Sequence, residues 1–266
     1  MIRDLARLFR LRLSLMNGVA ALGGCLLAPG GAGSRGVVLA GAGVTLLAMG
    51  GSAINQLLER DLDRLMTRTA GRPLPQGSMG PAAALWYGGG AVAIGSMLLS
   101  AGSLFALLLG VSALTWYLAV YTPLKRRTPL ALPLGALTGA VPPVIGWVMA
   151  GGGAADPRIV LLAGIIYLWQ VPHFWLFQQR HAEDYRRAGI PLFRLHPGQF
   201  ALWIAALAAA ALLLPLFGLA GRQAAVWFVL LPLLLAAVWF TRSERFRFSC
   251  LNLIPLLITL ALALPR

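Results

Sequence analysis

The sequence predicts an all-α polytopic membrane protein with nine transmembrane helices, and three observations carry that expectation. Hydrophobic residues make up 59% of the 266 and charged ones only 11%. The mean hydropathy of +0.78 is far above that of a soluble domain. Nine apolar runs each approach the ~20 residues that a helix needs to cross a bilayer. Basic residues collect in alternate gaps between those runs.

The runs are justified in chain order. The first, 11–29, carries Arg3, Arg7, Arg10 and Arg12 at its start. Within it Leu22-Gly23-Gly24-Cys25 resembles a lipoprotein cleavage box, but the apolar runs downstream favour an uncleaved first helix. The second run, 36–58, ends in a polar island. Runs three and four, 83–100 and 103–122, are parted only by Ala101-Gly102. The fifth, 130–150, holds Gly135, Gly139, Pro142, Pro143 and Gly146. Small residues let membrane helices approach closely, and the proline pair either kinks the span or widens a cavity. The sixth, 159–178, contains Trp169-Gln170-Val171-Pro172-His173-Phe174-Trp175, and runs 198–218, 223–241 and 249–265 complete the set. The expectation is a single integral membrane domain over residues 1–266.

Charge then sets orientation. The N-terminal segment and the gaps after runs two, four, six and eight hold 18 of the 22 basic residues. The opposite side holds only Arg35, Arg158, Arg222 and Arg266. The positive-inside rule therefore predicts a cytoplasmic N-terminus, a C-terminus on the opposite side, and residence in the cytoplasmic (inner) membrane. The net charge of +14 is read as a topology signal and predicts no nucleic-acid partner. Cys25 and Cys250 have no partner spacing for a metal or a disulfide framework. No Walker-type loop, nucleophile elbow, CxxC pair or HExxH appears, which argues against ATP-driven transport, serine hydrolysis and zinc chemistry.

The polar island runs from Asn55 to Pro75, NQLLERDLDRLMTRTAGRPLP. Asn55, Glu59 and Asp63 are spaced i, i+4, i+8, so on a helix they form one oxygen-bearing stripe drifting about 40° per step. Hard oxygen ligands of this kind suit Mg²⁺ held jointly by carboxylates and substrate phosphates. Asp61 lies about 200° around the helix from Glu59, and an ion pair with Arg60, Arg64 or Arg68 on a solvated face is its expected role. Arg68 and Arg72 follow within two turns. Their planar forks fit phosphate oxygens, and simple retention of positive charge on the inner side explains them as well.

Two further blocks carry polar chemistry. Tyr121-Thr122-Pro123-Leu124-Lys125-Arg126-Arg127 closes run four, and Lys125 is the one lysine in the chain. A point charge on a phosphate is the reading for Lys125, with Arg126 beside it. His173, inside run six beside a proline, is read as lining a reaction cavity, against the alternative of a hydrogen-bonded core histidine. Together the residues describe a membrane enzyme for a lipid-soluble diphosphate. A transporter or assembly factor is the competing class, and it would place charges near mid-membrane in several spans.

These blocks resemble the UbiA-type intramembrane prenyltransferases. Asn55, Glu59 and Asp63 match the family's first motif, Asn-x3-acid-x3-Asp, with glutamate in the middle where aspartate is commoner. Residues 121–147 and 169–193 resemble the branch of the family that builds heme O. Asp184 matches the latter aspartate of the second family motif, and Arg180 stands where its partner aspartate would be. The resemblance implies a nine-helix bundle opening to the cytoplasm. It implies Mg²⁺ as cofactor, with farnesyl diphosphate and heme B as substrates, heme O and diphosphate as products, and heme-copper oxidases as the destination. It implies catalytic Asn55, Glu59, Asp63 and Asp184, with Arg68, Arg72, Lys125 and Arg126 on the diphosphate. Tyr121, Trp169 and His173 fall to substrate contact: aromatic faces to stabilise a cation, and His173 to meet heme by ligation or a hydrogen bond. Heme A synthase or oxidase-assembly proteins are the implied partners, besides membrane lipid. An aromatic quinone precursor or another tetrapyrrole is the alternative acceptor.

Overall fold

A computed structural model describes residues 1–31, 33–219, 225–241 and 243–263. Among them the regular structure is helical throughout. In chain order the elements are α1 (Ile2–Leu8), α2 (Leu11–Leu27), α3 (Ser34–Leu58), α4 (Arg60–Leu65), α5 (Pro73–Gln76), α6 (Pro81–Ser100) and α7 (Leu104–Thr115). A π-helical segment, Trp116–Tyr121, joins α7 to α8 (Thr122–Leu124). Then come α9 (Ala131–Met149), α10 (Pro157–Arg180), α11 (Ala182–Arg187), α12 (Pro197–Leu212), α13 (Ala225–Phe240) and α14 (Glu244–Ala263).

Each expected run carries a helix. Among the described residues five helical stretches are long and apolar enough to cross a membrane: Ser34–Leu58, Pro81–Ser100, Leu104–Leu124, Ala131–Met149 and Pro157–Arg180. Leu11–Leu27 and Pro197–Leu212 are shorter apolar helices. The run expected over 198–218 is helical only to Leu212, because Pro215 lacks the N–H that would continue the ladder and the chain turns through Gly218 at φ +66°. The last helix begins at Glu244, earlier than the expected 249, so Arg245 and Arg247 ride on it. The opening of run 223–241, the close of run 249–265, and Arg222, Arg242 and Arg266 lie outside the described residues.

The chain forms two compact units: Met1–Gly153 with Ala182–Pro191, and Ala154–His181 with the described residues from Leu192 onward. In the first unit α3 lies along α6, and α2 lies between α3 and α9. Their core gathers Ala21, Val44, Leu47, Leu99, Ala106 and Ile145. Backbones approach closely where glycines permit. A Cβ on Gly95 would stand 2.8 Å from the Leu47 nitrogen. A Cβ on Gly146 would collide with the Ala21 carbonyl, at the level where Cys25 Sγ donates to the Gly146 carbonyl across 3.1 Å. Pro142 and Pro143 are buried in α9, and the Pro143 carbonyl faces Gly24, so this side of the proline pair makes a helix contact. Gly146→Ala is therefore expected to separate α2 from α9 at a cost of about 1–3 kcal/mol, read as a lowered thermal midpoint in detergent.

In the second unit Ile165, Leu176, Phe200, Leu207, Leu251 and Ile254 build the core of α10, α12, α13 and α14. Trp169 Nε1 donates to the Leu251 carbonyl at 2.8 Å and fastens α10 to α14.

Candidate active site

The site begins where α3 ends. Glu59 leaves helical geometry (φ −116°, ψ 15°), yet its N–H reaches the Asn55 carbonyl at 3.0 Å and its carbonyl receives the Asp63 N–H at 2.8 Å. The i, i+4 pattern thus survives the break into α4. All three residues are buried, at 3% exposure each. Burying carboxylates is costly unless they are paired. Here Lys125 Nζ meets Glu59 Oε2 at 2.5 Å and Arg72 Nη1 meets Asp63 Oδ2 at 2.7 Å. The cations come from chain segments far from the carboxylates in one case and one loop away in the other, so two sequence blocks converge on one point.

Neighbouring contacts hold this point in shape. Asn55 Nδ2 donates to Thr122 Oγ1 at 3.0 Å. Thr69 Oγ1 donates to the Asp63 carbonyl at 3.0 Å. Gln56, fully buried one residue beyond Asn55, donates to the Arg7 and Leu8 carbonyls and so ties α1 to α3. Lys125 Nζ also stands 5.6 Å over the Tyr121 ring, and Tyr121 stacks on Tyr117 at 5.7 Å. Tyr185 is half-buried on Met66, Ala188 and Ile190, and that desolvation pushes its phenol pKa up.

Asp184 comes to the same unit from α11. Its Oδ1 accepts the Thr67 N–H at 2.9 Å and its Oδ2 accepts the Arg68 N–H at 3.1 Å. Burial works to raise its pKa, but those two N–H groups, the Thr67 hydroxyl and nearby Arg187 together outweigh burial and hold it below the usual carboxylate range. The carboxylate therefore acts as a clasp on the loop after α4. Partial desolvation in that loop pulls Arg68 below the ordinary arginine value although the residue keeps an exposed surface, and Arg72 and Arg10 act in the same direction. The clasp is at full strength above the unfolded aspartate value near pH 4 and is lost as pH falls through the lower folded value. Amide exchange over residues 66–70 is expected to accelerate below about pH 4, and Asp184→Asn should show the fast exchange at neutral pH.

One expectation changes. Asp61 pairs not with Arg60, Arg64 or Arg68 but with Arg126, in a bidentate contact of 2.9 and 3.0 Å, because Arg126 arrives from the loop after α8. Arg126 Nη2 also donates to the Leu58 carbonyl at 2.9 Å and caps the end of α3. The bond to Arg126 is the main reason that the Asp61 pKa is lowered. Arg126, expected on a diphosphate, holds this partly exposed ion pair in the structure. Sequence reading missed Thr122, Gln56 and Tyr185. It also missed Arg10, which among the described residues is the one non-glycine residue at positive φ (44°), at the joint between α1 and α2.

Trp169 and His173 belong to the second unit. The His173 ring stacks on Trp169 at 4.7 Å and on Phe248 at 5.1 Å, with Phe174 edge-on at 5.1 Å. Its Nδ1 is buried without a partner among the described residues.

The residues fit a divalent cation of the hard type. Glu59 Oε1 is buried with no hydrogen-bond partner among the described residues, and an unsatisfied carboxylate oxygen there costs free energy unless a cation takes it up. No group of three or more His, Cys, Asp or Glu stands ready as a complete cage among the described residues. Mg²⁺ is commonly held by one or two carboxylates together with phosphate and water, and carboxylate and amide oxygens are the donor types that Asn55, Glu59 and Asp63 offer.

The sequence pattern of the UbiA prenyltransferase family matches residues 17–249. The protoheme IX farnesyltransferase of Geobacter sulfurreducens is 58% identical over 263 residues, covering 97% of each chain. That of Nitratidesulfovibrio vulgaris is 41% identical over 254 residues, covering 92% of this chain and 88% of the relative. Among solved structures, the fold is similar to a UbiA homolog from Aeropyrum pernix K1, with a TM-score of 0.72 at 23% identity over 94% of this chain and 97% of that one. A UbiA homolog from Archaeoglobus fulgidus, bound to GPP and Mg²⁺, gives a TM-score of 0.68 at 17% identity over 98% and 97%. The chain belongs to the UbiA prenyltransferase family.

Proposed function

We propose that this chain transfers the farnesyl group of farnesyl diphosphate to a vinyl group of heme B, giving heme O and diphosphate. The single observation that carries the reading is the buried convergence of Asn55, Glu59 and Asp63 with Lys125 and Arg72, in a chain 58% identical to a protoheme IX farnesyltransferase. The family pattern runs through residues of both compact units, which supports one catalytic domain over the chain. The apolar helices support a membrane setting for that domain, and the 18-to-4 division of basic residues supports the cytoplasmic membrane with the N-terminus inside.

The residues divide the work. Asn55, Glu59 and Asp63 would hold Mg²⁺, which when bound supplies positive charge to the diphosphate. Lys125 and Arg72 already sit on the two carboxylates, so they lie within reach of any anion bound at that metal. They stabilise the charge that builds on diphosphate as the farnesyl C–O bond breaks. Asp184, by clasping the loop, positions Arg68 for the same anion. The allylic cation is attacked by the electron-rich vinyl carbon, and water adds to the resulting cation and gives up a proton to the released diphosphate, leaving a hydroxyl. Tyr121, stacked beside Lys125, offers an aromatic face to the cationic carbon, and Trp169 and His173 contribute a stacked surface that suits a flat porphyrin.

Purified protein in detergent or nanodiscs, given heme B, farnesyl diphosphate and Mg²⁺, is expected to form heme O and release diphosphate, and to lose both on chelation. Prenylation of a quinone precursor with no heme O would overturn the acceptor. Diphosphate release that persists unchanged in a chelator would overturn the metal.

A further inference from the structure

Asn55 is the neutral member of the metal-binding stripe, and an amide helps a cation only when its oxygen faces it. What sets that direction is a hydroxyl on another element. Thr122 opens α8 directly after the π-helical segment and is buried, with 3% of its surface exposed. Its backbone N–H and its Oγ1 both donate to the Tyr117 carbonyl, the hydroxyl at 2.8 Å. The wide π turn is what leaves that carbonyl five residues behind Thr122.

A threonine hydroxyl carries one proton. With that proton on the Tyr117 carbonyl, Oγ1 faces Asn55 with lone pairs only. It accepts from Asn55 Nδ2 at 3.0 Å, and it would repel Oδ1 in the flipped amide. Asn55 is therefore locked with its NH₂ on Thr122 and Oδ1 on the opposite side. We infer that Thr122 is a positioning residue that holds the Asn55 amide oxygen-forward for the divalent cation. The inference rests on the reading of Asn55 as a metal ligand. It explains why a polar residue lies buried at the end of a span. The stripe contributes its side chains, and the π segment contributes their polarity.

Mn²⁺ in place of Mg²⁺ gives a readout independent of turnover. Its affinity for detergent-solubilised protein is measured by electron paramagnetic resonance in the presence of inorganic diphosphate. Thr122→Ser keeps the hydroxyl and is expected to bind as the unsubstituted protein does. Thr122→Val removes the constraint in the same volume and is expected to weaken Mn²⁺ by about tenfold, the worth of one lost hydrogen bond. Should valine not fold, Thr122→Ala carries the same expectation. The deciding arm is Asn55→Asp. A carboxylate has two equivalent oxygens, so in that background Thr122→Val is expected to leave Mn²⁺ affinity unchanged within twofold.

Unchanged affinity in Thr122→Val, with only a lowered thermal midpoint, would reduce Thr122 to a packing residue and overturn the inference. A tenfold loss that persists in Asn55→Asp would overturn it too, because orientation would then not be the cause. Absence of Mn²⁺ binding by the unsubstituted protein would overturn the ligand reading beneath it, and that result is distinct from the other two.

Discussion

Glu59→Gln is expected to cut heme O formation at least about a hundredfold while the chain still folds, the scale on which losing one charge-stabilising group in an enclosed site acts. The lost quantity is a full negative charge beside the metal, together with the orphaned Oε1 that the structure leaves for it. Glutamine keeps an acceptor for Lys125, whose contact to Oε2 is 2.5 Å, so that bond weakens without vanishing. From sequence alone, this substitution would be expected to touch metal binding only. The ion pair adds a stability term, and a modest fall in thermal midpoint should accompany the loss of activity. Single-turnover heme O yield and thermal unfolding of the same sample separate the two effects. Full turnover in Glu59→Gln would remove Glu59 from the ligand set.

Lys125→Met is expected to be the more disruptive substitution for stability, although lysine is the more exposed partner. The Glu59 side chain is 4% exposed and that of Lys125 is 21%. Removing the cation leaves the deeper charge uncompensated, and breaking a buried pair this way costs about 3–5 kcal/mol. Removing both partners should be milder than removing lysine alone, so the Glu59→Gln, Lys125→Met double variant is expected to melt above Lys125→Met. Function should divide differently. Lys125→Met is expected to raise the KM for farnesyl diphosphate by roughly ten- to a hundredfold, as loss of a charged contact to an anion does. Wild-type affinity for farnesyl diphosphate in a folded Lys125→Met protein would place the lysine outside the substrate site.

Much of the architecture was legible because membrane solvation is a blunt and local rule. Each expected run needed only length and apolar composition, and each carries a helix. The misjudged boundaries fall where a second rule intervenes, as at Pro215 in the seventh run. The oxygen-bearing stripe was legible for a related reason. Spacing of i, i+4, i+8 is a property of the backbone, and it held even across the break at Glu59. The charge partners were another matter. Arg60, Arg64 and Arg68 are near Asp61 in sequence, yet Arg126 takes it from 65 positions away.

Composition, spacing and the distribution of arginines determine by themselves that this is a helical membrane protein with one carboxylate-rich stripe at the end of its second span. They do so because hydropathy, helical period and positive-inside bias are each summed along the chain, and none needs to know what lies beside what. The tertiary structure alone decides which cation meets which carboxylate, that Asp184 clasps the loop at Thr67 and Arg68, and that a threonine beyond a π turn accepts from the Asn55 amide. Those assignments depend on contacts between segments far apart in sequence. In a buried site each donor must find an acceptor within about 3 Å, and only the packed helices say which one is there.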